Sequence, residues 1–299
     1  MEQDAMFPAH GSRANLVRAG DGNAMNLSNP FDFHDQVAVI IGGSGILCST
    51  LARALGQQGA KVIVVGHSHL AKAQEVAAGI VSNGGQALAL QADVLDKKSL
   101  EGLAQRVMEL HGRIDMLING AGGAKKEATT SEELSFFDLP EEAVRWVFDL
   151  NFLGTFFPCQ IFGRHMVQQG HGRILNIASM GAYRPLTRSV AYSAAKAAIV
   201  NFTQWLAVHM SQEYSPNIRV NAIVPGFFLT EQNRFLIYDA TSGQLTPRGQ
   251  RIIAHTPMGR LGQPEDLVCP ALMLLSEGAA FVHGTTVVVD GGFSAFGGV

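Results

Sequence analysis

The sequence predicts an α/β fold, a doubly wound sheet of seven parallel strands with helices on both faces. Two observations carry this: short β-branched runs recur along the chain, and the stretches between them repeat apolar residues at helical spacing. The strand runs are expected at 37–41, 62–65, 87–90, 116–118, 174–177, 220–224 and 287–289. Between the fifth and sixth, Ala195, Ile199, Phe202 and Leu206 lie on one helical face. Strands this apolar are buried on both sides, which requires a parallel sheet covered by crossover helices. Ligands in such sheets bind beyond the carboxyl ends of the strands, so the residues closing each strand are the ones to read for chemistry.

Residues 1–29 lack periodicity and read as a mobile extension preceding a single domain over 30–299. The connection over 225–264 runs for roughly 40 residues before the next helix, far beyond the usual length of such loops, and 228–258 is read as a substrate lid. With 22 Lys and Arg against 25 Asp and Glu, there is no basic surplus for nucleic-acid binding, and no nucleic-acid partner is expected. No apolar run reaches the roughly 18 residues that span a bilayer, and the N-terminus lacks a signal pattern, so a cytoplasmic protein without membrane association is expected. Cys48, Cys159 and Cys269 are far apart in apolar surroundings and read as free, buried thiols in a reducing compartment. The ten histidines are dispersed, and His67-Ser68-His69 has no further ligand at metal spacing, so no metal is expected.

After the first strand, Gly42-Gly43-Ser44-Gly45-Ile46 leads into a helix through a turn that can present bare backbone N–H groups to a pyrophosphate. This makes the expectation a Rossmann-type dinucleotide site. The second strand ends in Gly66-His67-Ser68 without the acidic residue that would hold the ribose 2′-hydroxyl of NAD. Gly66 leaves room for a 2′-phosphate and His67 can donate to it, so either NADP or NAD is expected, NADP slightly favoured. Asp93-Val94 and Asn119-Gly120-Ala121 close the third and fourth strands where a cofactor would lie.

Tyr192 and Lys196 stand four residues apart in a helical stretch, which puts phenol and ammonium on one face. A nearby cation is expected to lower the phenol pKa, so that Tyr192 exchanges a proton with an alcohol or alkoxide. Ser179 closes the fifth strand, where its hydroxyl can hydrogen-bond a reacting carbonyl.

The glycine turn, Asn119-Gly120-Ala121-Gly122, Asn151, Ser179, Tyr192-x-x-x-Lys196 and Pro225-Gly226 fall in the order of the short-chain dehydrogenase/reductase family, which the chain resembles over about residues 33–295. The resemblance implies Tyr192 as general acid/base, Lys196 as its cationic neighbour and ribose ligand, Ser179 as carbonyl anchor and Asn151 as holder of a proton-relay water. It also implies Gly42, Ser44, Gly45 and Ile46 on the pyrophosphate, Asp93 and Val94 at the adenine, and Asn119, Gly120 and Ala121 along the cofactor. Pro225, Gly226, Phe228 and Thr230 would meet the nicotinamide end. Departures from the family pattern are Ile41 for a Thr, Ile46 and Cys48 for glycines, and Gly120 for an Asn.

Within the family, V-F-D-L-N-F-L-G-T-F, P-G-F-F-L-T-E-Q-N-R and A-H-T-P-M-G-R-L-G-Q-P-E-D look like the short-chain-type D-mannonate oxidoreductases, which interconvert D-fructuronate and D-mannonate. Such a substrate asks for a guanidinium and amides, and Arg184, Arg234, Gln232 and Asn233 are the expected suppliers. Phe227, Phe228, Phe235, Leu236 and Ile237 keep open an apolar pocket for another carbonyl, such as a 3-oxoacyl thioester. A cofactor-binding regulatory protein without chemistry is the alternative of another class. The expected partner is a small-molecule carbonyl or alcohol, within a homo-oligomer, a dimer or tetramer.

Overall fold

The computed structural model describes residues 29–298 apart from His69 and 231–233, and omits the Phe235 side chain. The extension expected over 1–29 therefore falls almost wholly outside the described residues, as do Gln232 and Asn233.

All seven expected strands form: β1 Val37–Ile41, β2 Lys61–Gly66, β3 Gln86–Gln91, β4 Met116–Asn119, β5 Gly172–Ile177, β6 Ile218–Pro225 and β7 Thr286–Val289. They make one parallel sheet in the order β3-β2-β1-β4-β5-β6-β7. The helices are α1 Ile46–Gln57, α2 Leu70–Ser82, α3 Lys97–His111, α4 Glu141–Phe148, α5 Gly154–Gln169, α6 Val190–His209, α7 Arg234–Ile237, α8 Pro247–Ala254 and α9 Val268–Leu275.

Strand alternation divides the core into two layers. Ala38 and Ile40 of β1 pack with Leu51 and Leu55 of α1, Val76 of α2 and Leu272 of α9. Val37, Val39 and Ile41 face the other way, onto Leu103 of α3, Phe162 of α5 and Leu206 of α6. Successive side chains of a strand point to opposite faces, so five consecutive apolar residues serve both layers.

The order in which strands are added reverses at β1, flanked by β2 and β4, where Ile41 is in register with Val65 and with Asn119. The helices leaving β1 and β4 there go to opposite faces, which opens a crevice at the carboxyl edge. The connection after β6 carries its own structure rather than being one long loop. α7 and α8 are joined by a turn held by the Tyr238–Leu245 bridge, and Phe228 pairs with Gly262. Thr246 caps α8, its hydroxyl accepting from Gly249 N–H at 3.0 Å, and Pro247 supplies the first helical residue.

Candidate active site

A cleft of about 730 Å³ runs along the carboxyl edge of the sheet. Gly42, Ser44, Gly45, Ile46, Gly120, Ser179, Tyr192, Pro225, Gly226, Phe228 and Thr230, all expected at the site, line it. Gly42 has φ +70°, and a Cβ there would lie 3.0 Å from the Gly120 and Ala121 backbone. Gly45 precedes α1 with no side-chain cap, so the helix offers its first N–H groups unclaimed by a side chain. A close-approach glycine turn with free donors is what a pyrophosphate requires, and the cleft fits a dinucleotide.

The family's third glycine is Cys48 here, and its second asparagine is Gly120. A Cβ at Gly120 would sit 2.1 Å from Cys48 Sγ. Burial pushes the Cys48 thiol up to about 12, against the pull of the nearby Lys196 charge.

The reacting end is assembled from four side chains, Ser179, Tyr192, Lys196 and Asn151. Ser179 follows β5, and its hydroxyl accepts from Gly181 N–H at 3.2 Å and stands near enough to the Tyr192 phenol to favour its ionised form. Tyr192 and Lys196 come from the first turns of α6, with Lys196 Nζ 5.7 Å from the Tyr192 ring centre. That ammonium donates to the Ile177 carbonyl at 2.9 Å, and burial draws its pKa down to about 8. The expected lowering of the phenol is reversed: burial raises the Tyr192 pKa, and the Ser179 hydroxyl opposes it only in part. Desolvation of the phenolate outweighs the attraction of an ammonium that is set beside the ring.

Asn151 lies in a π-helical turn, Asp149–Leu153, between α4 and α5. Such turns widen the backbone locally and recur at functional sites. The Asn151 amide donates to the Gly123 and Val147 carbonyls, both at 2.7 Å. A Cβ on Gly122 would lie 2.5 Å from Asn151 Oδ1 and 3.3 Å from Lys196 Nζ, so glycine lets the two side chains converge.

Several expected residues serve the frame rather than the cleft wall. The Asn119 side chain is buried and donates to Asn176 Oδ1 at 2.9 Å; Asn176 donates in turn to Thr203 of α6 at 2.9 Å. This chain of amides fixes the helix carrying Tyr192 against β4 and β5, a role that sequence reading missed. Val94 is buried against Gly154, and Ala121 packs beside it. Gly66 ends β2, and the His67 ring stands 3.6 Å from the Asp93 carboxylate, which in turn accepts from Leu95 N–H at 2.9 Å. His67 therefore already has an acidic neighbour, a weaker 2′-phosphate donor than the sequence suggested.

The two arginines expected at the substrate are both off the cleft wall. Arg184 is exposed, and its guanidinium donates to the Ser294 carbonyl at 3.2 and 3.3 Å. Arg234 is exposed on α7 with its guanidinium 5.5 Å from the Tyr238 ring centre. Two arginines do line the cleft, Arg248 of α8 and, with Lys72, Arg53 of α1. Thr246-Pro247 is a helix-start signal that could have located α8, but nothing local says which way it faces. Among the described residues, no helix is long and apolar enough to cross a membrane, and no group of three or more His, Cys, Asp or Glu could hold a metal ion.

A doubly wound sheet with a glycine-turn cleft ending at Ser, Tyr and Lys defines an NAD(P)-dependent dehydrogenase or reductase. A family model described as enoyl-(acyl carrier protein) reductase matches residues 44–294, and the chain belongs to the short-chain dehydrogenase/reductase family. It is 46% identical over 273 residues to an uncharacterized oxidoreductase, UxuB, of Bacillus subtilis, covering 88% of this chain and 96% of that one. Among solved structures, a Haemophilus influenza protein provisionally called a D-mannonate oxidoreductase, crystallised with NAD, superimposes with TM-score 0.83 at 40% identity, over 90% of this chain and 98% of that one. A gluconate 5-dehydrogenase from Burkholderia cenocepacia, in complex with NADP and tartrate, superimposes with TM-score 0.79 at 28% identity, over 90% of this chain and 98% of that one.

Proposed function

We propose that this chain interconverts the ketone and secondary alcohol of a small sugar acid, D-fructuronate and D-mannonate being the pair favoured by its likeness to the Haemophilus protein. The observation that carries the reaction class is the convergence of Ser179, Tyr192 and Lys196 at the end of the glycine-turn cleft. The nicotinamide, when bound, supplies or accepts the hydride. In the reducing direction, Ser179 and Tyr192 hydrogen-bond the substrate carbonyl oxygen, and Tyr192 delivers its proton to the forming alkoxide. A neutral phenol is the form needed for that step, and burial favours it. Lys196 presents a charged donor beside the phenol, held by the Ile177 carbonyl. Asn151, in its π-turn, is the residue we assign to a proton-relay water.

The cofactor reading keeps both NADP and NAD, with NADP used at least as well, because Gly66 leaves the end of β2 without an acid and Arg53 and Lys72 stand on the cleft wall. A tenfold preference for NAD in kcat/KM, about 1.4 kcal/mol, overturns that preference. We also infer a homo-oligomer, since Trp205 and Val208 of α6 are each 56% exposed on one helix; sedimentation at micromolar concentration checks it.

The test of function is a panel of sugar acids, keto acids and neutral ketones assayed with both reduced cofactors by loss of nicotinamide absorbance. Reduction of D-fructuronate supports the proposal. Leu236, Ile237 and Ile252 also line the cleft, so exclusive turnover of apolar ketones is the result that replaces it.

A further inference from the structure

We infer that Arg248 is the carboxylate-binding residue of this enzyme, so that substrates are selected as anions by the segment after β6. The inference rests on the sugar-acid reading above and deepens it by naming the group that recognises the acid.

Arg248 is half-buried on the second residue of α8 and lines the cleft together with Ser189, Leu186 and Tyr192. Among the described residues it has neither a hydrogen bond nor an ion pair. Its charged neighbours are of the same sign: Arg188 and Arg251 both press on it, and burial is the larger influence lowering its pKa. A guanidinium held half out of water among other cations is unfavourable unless an anion answers it. Among the described residues lining the cleft none answers it: the one acidic residue there is Glu75 of α2, which stands with Lys72 beyond the glycine turn.

The neighbouring backbone is also arranged for this. Arg188 adopts φ +74°, a conformation uncommon for a side chain with a Cβ, and its carbonyl accepts from Thr130 N–H at 3.0 Å. The turn carrying Arg188, whose charge acts on Arg248, is thus fixed just before the helix that carries Tyr192. Ile252, one turn along α8, and Ile237 of α7 form an apolar lining beside Arg248. A planar fork set against an apolar wall suits a carboxylate at one end of a short chain, with the ketone left to face Tyr192. Arg184, with its guanidinium turned to the Ser294 carbonyl, is not so placed.

The test measures kcat and KM for D-fructuronate and for the neutral ketose D-fructose, with reduced cofactor saturating, in the unaltered enzyme, Arg248→Gln and Arg248→Lys. The ratio of kcat/KM for the acid to that for the ketose is expected to fall at least tenfold in Arg248→Gln, mainly through KM. Arg248→Lys keeps the charge but loses the fork and is expected to fall between the two. Millimolar guanidinium ion is expected to restore part of the acid turnover in Arg248→Ala. The affinity for reduced cofactor, followed by fluorescence, should stay within about twofold throughout, which a role on the cofactor phosphates would not allow. Acid turnover indifferent to both substitutions, or a loss that follows cofactor affinity, overturns this inference alone. Turnover of neutral ketones only, by the unaltered protein, overturns the sugar-acid reading with it.

Discussion

Cys48 of α1 and Gly120 beyond β4 occupy one space between them: a side chain at Gly120 would begin 2.1 Å from Cys48 Sγ, while Cys48 Cβ stays 3.6 Å away. Where the family pattern has a glycine facing an asparagine, this chain has a cysteine facing a glycine, and the pair preserves the volume behind the phosphate turn. With Cys48 in place, position 120 has no room for a side chain.

That complementarity predicts a double-mutant cycle. Gly120→Ala should destabilise by about 1–3 kcal/mol and weaken cofactor binding, because Sγ must turn into a packed interior. Adding Cys48→Ala removes the sulfur, leaves an ordinary contact and should recover most of the loss. Thermal melts of the two single variants and the double variant measure the coupling, and strictly additive effects would show that the two sites do not share space.

Tyr192→Phe removes one hydroxyl from the reacting end. Turnover should fall by on the order of 10²-fold or more, with cofactor affinity nearly unchanged, since a positioned acid is lost and the helix frame is kept. Wild-type turnover in this variant would falsify the assignment of the proton donor.

Lys196 has its pKa drawn down to about 8 by burial. An amine is charged below its pKa, so the ammonium is fully present at pH 6 to 7 and is lost as pH rises through about 8. If its charge serves the cofactor ribose, affinity for reduced cofactor should be highest below pH 8 and decline above it. Lys196→Met should bind weakly and without that alkaline limb. A flat profile from pH 6.5 to 9.5 in the unaltered enzyme contradicts this role.

The thiols give a check on packing. Cys48 and Cys159 are buried as expected and pushed up to about 12, while Cys269, expected buried, is exposed near the start of α9. Iodoacetamide at pH 8 should label one cysteine per native chain, identified by peptide mass as Cys269, and all three after unfolding. Rapid native labelling of Cys48 would mean that the phosphate turn opens readily.

How far the sequence determined this protein follows from the range of the forces involved. Strand and helix positions were legible because periods of two and 3.6 residues reflect which face of each element is buried, and every expected strand formed within a few residues. The glycine turn, Ser179, Tyr192 and Lys196 were legible because each is tied to the end of a strand or a single helix face. Three matters were decided only by the tertiary structure. Desolvation in the cleft, not the neighbouring ammonium, sets the direction of the Tyr192 pKa. Asn119, Asn176 and Thr203 join into one buried chain only when β4, β5 and α6 are packed together. And the arginine that the segment after β6 turns into the cleft wall is Arg248, not Arg234, while Arg184 turns to the Ser294 carbonyl. The segment after β6 folds back as α7 and α8, so the side chains it turns inward depend on contacts with distant parts of the chain that no local pattern encodes.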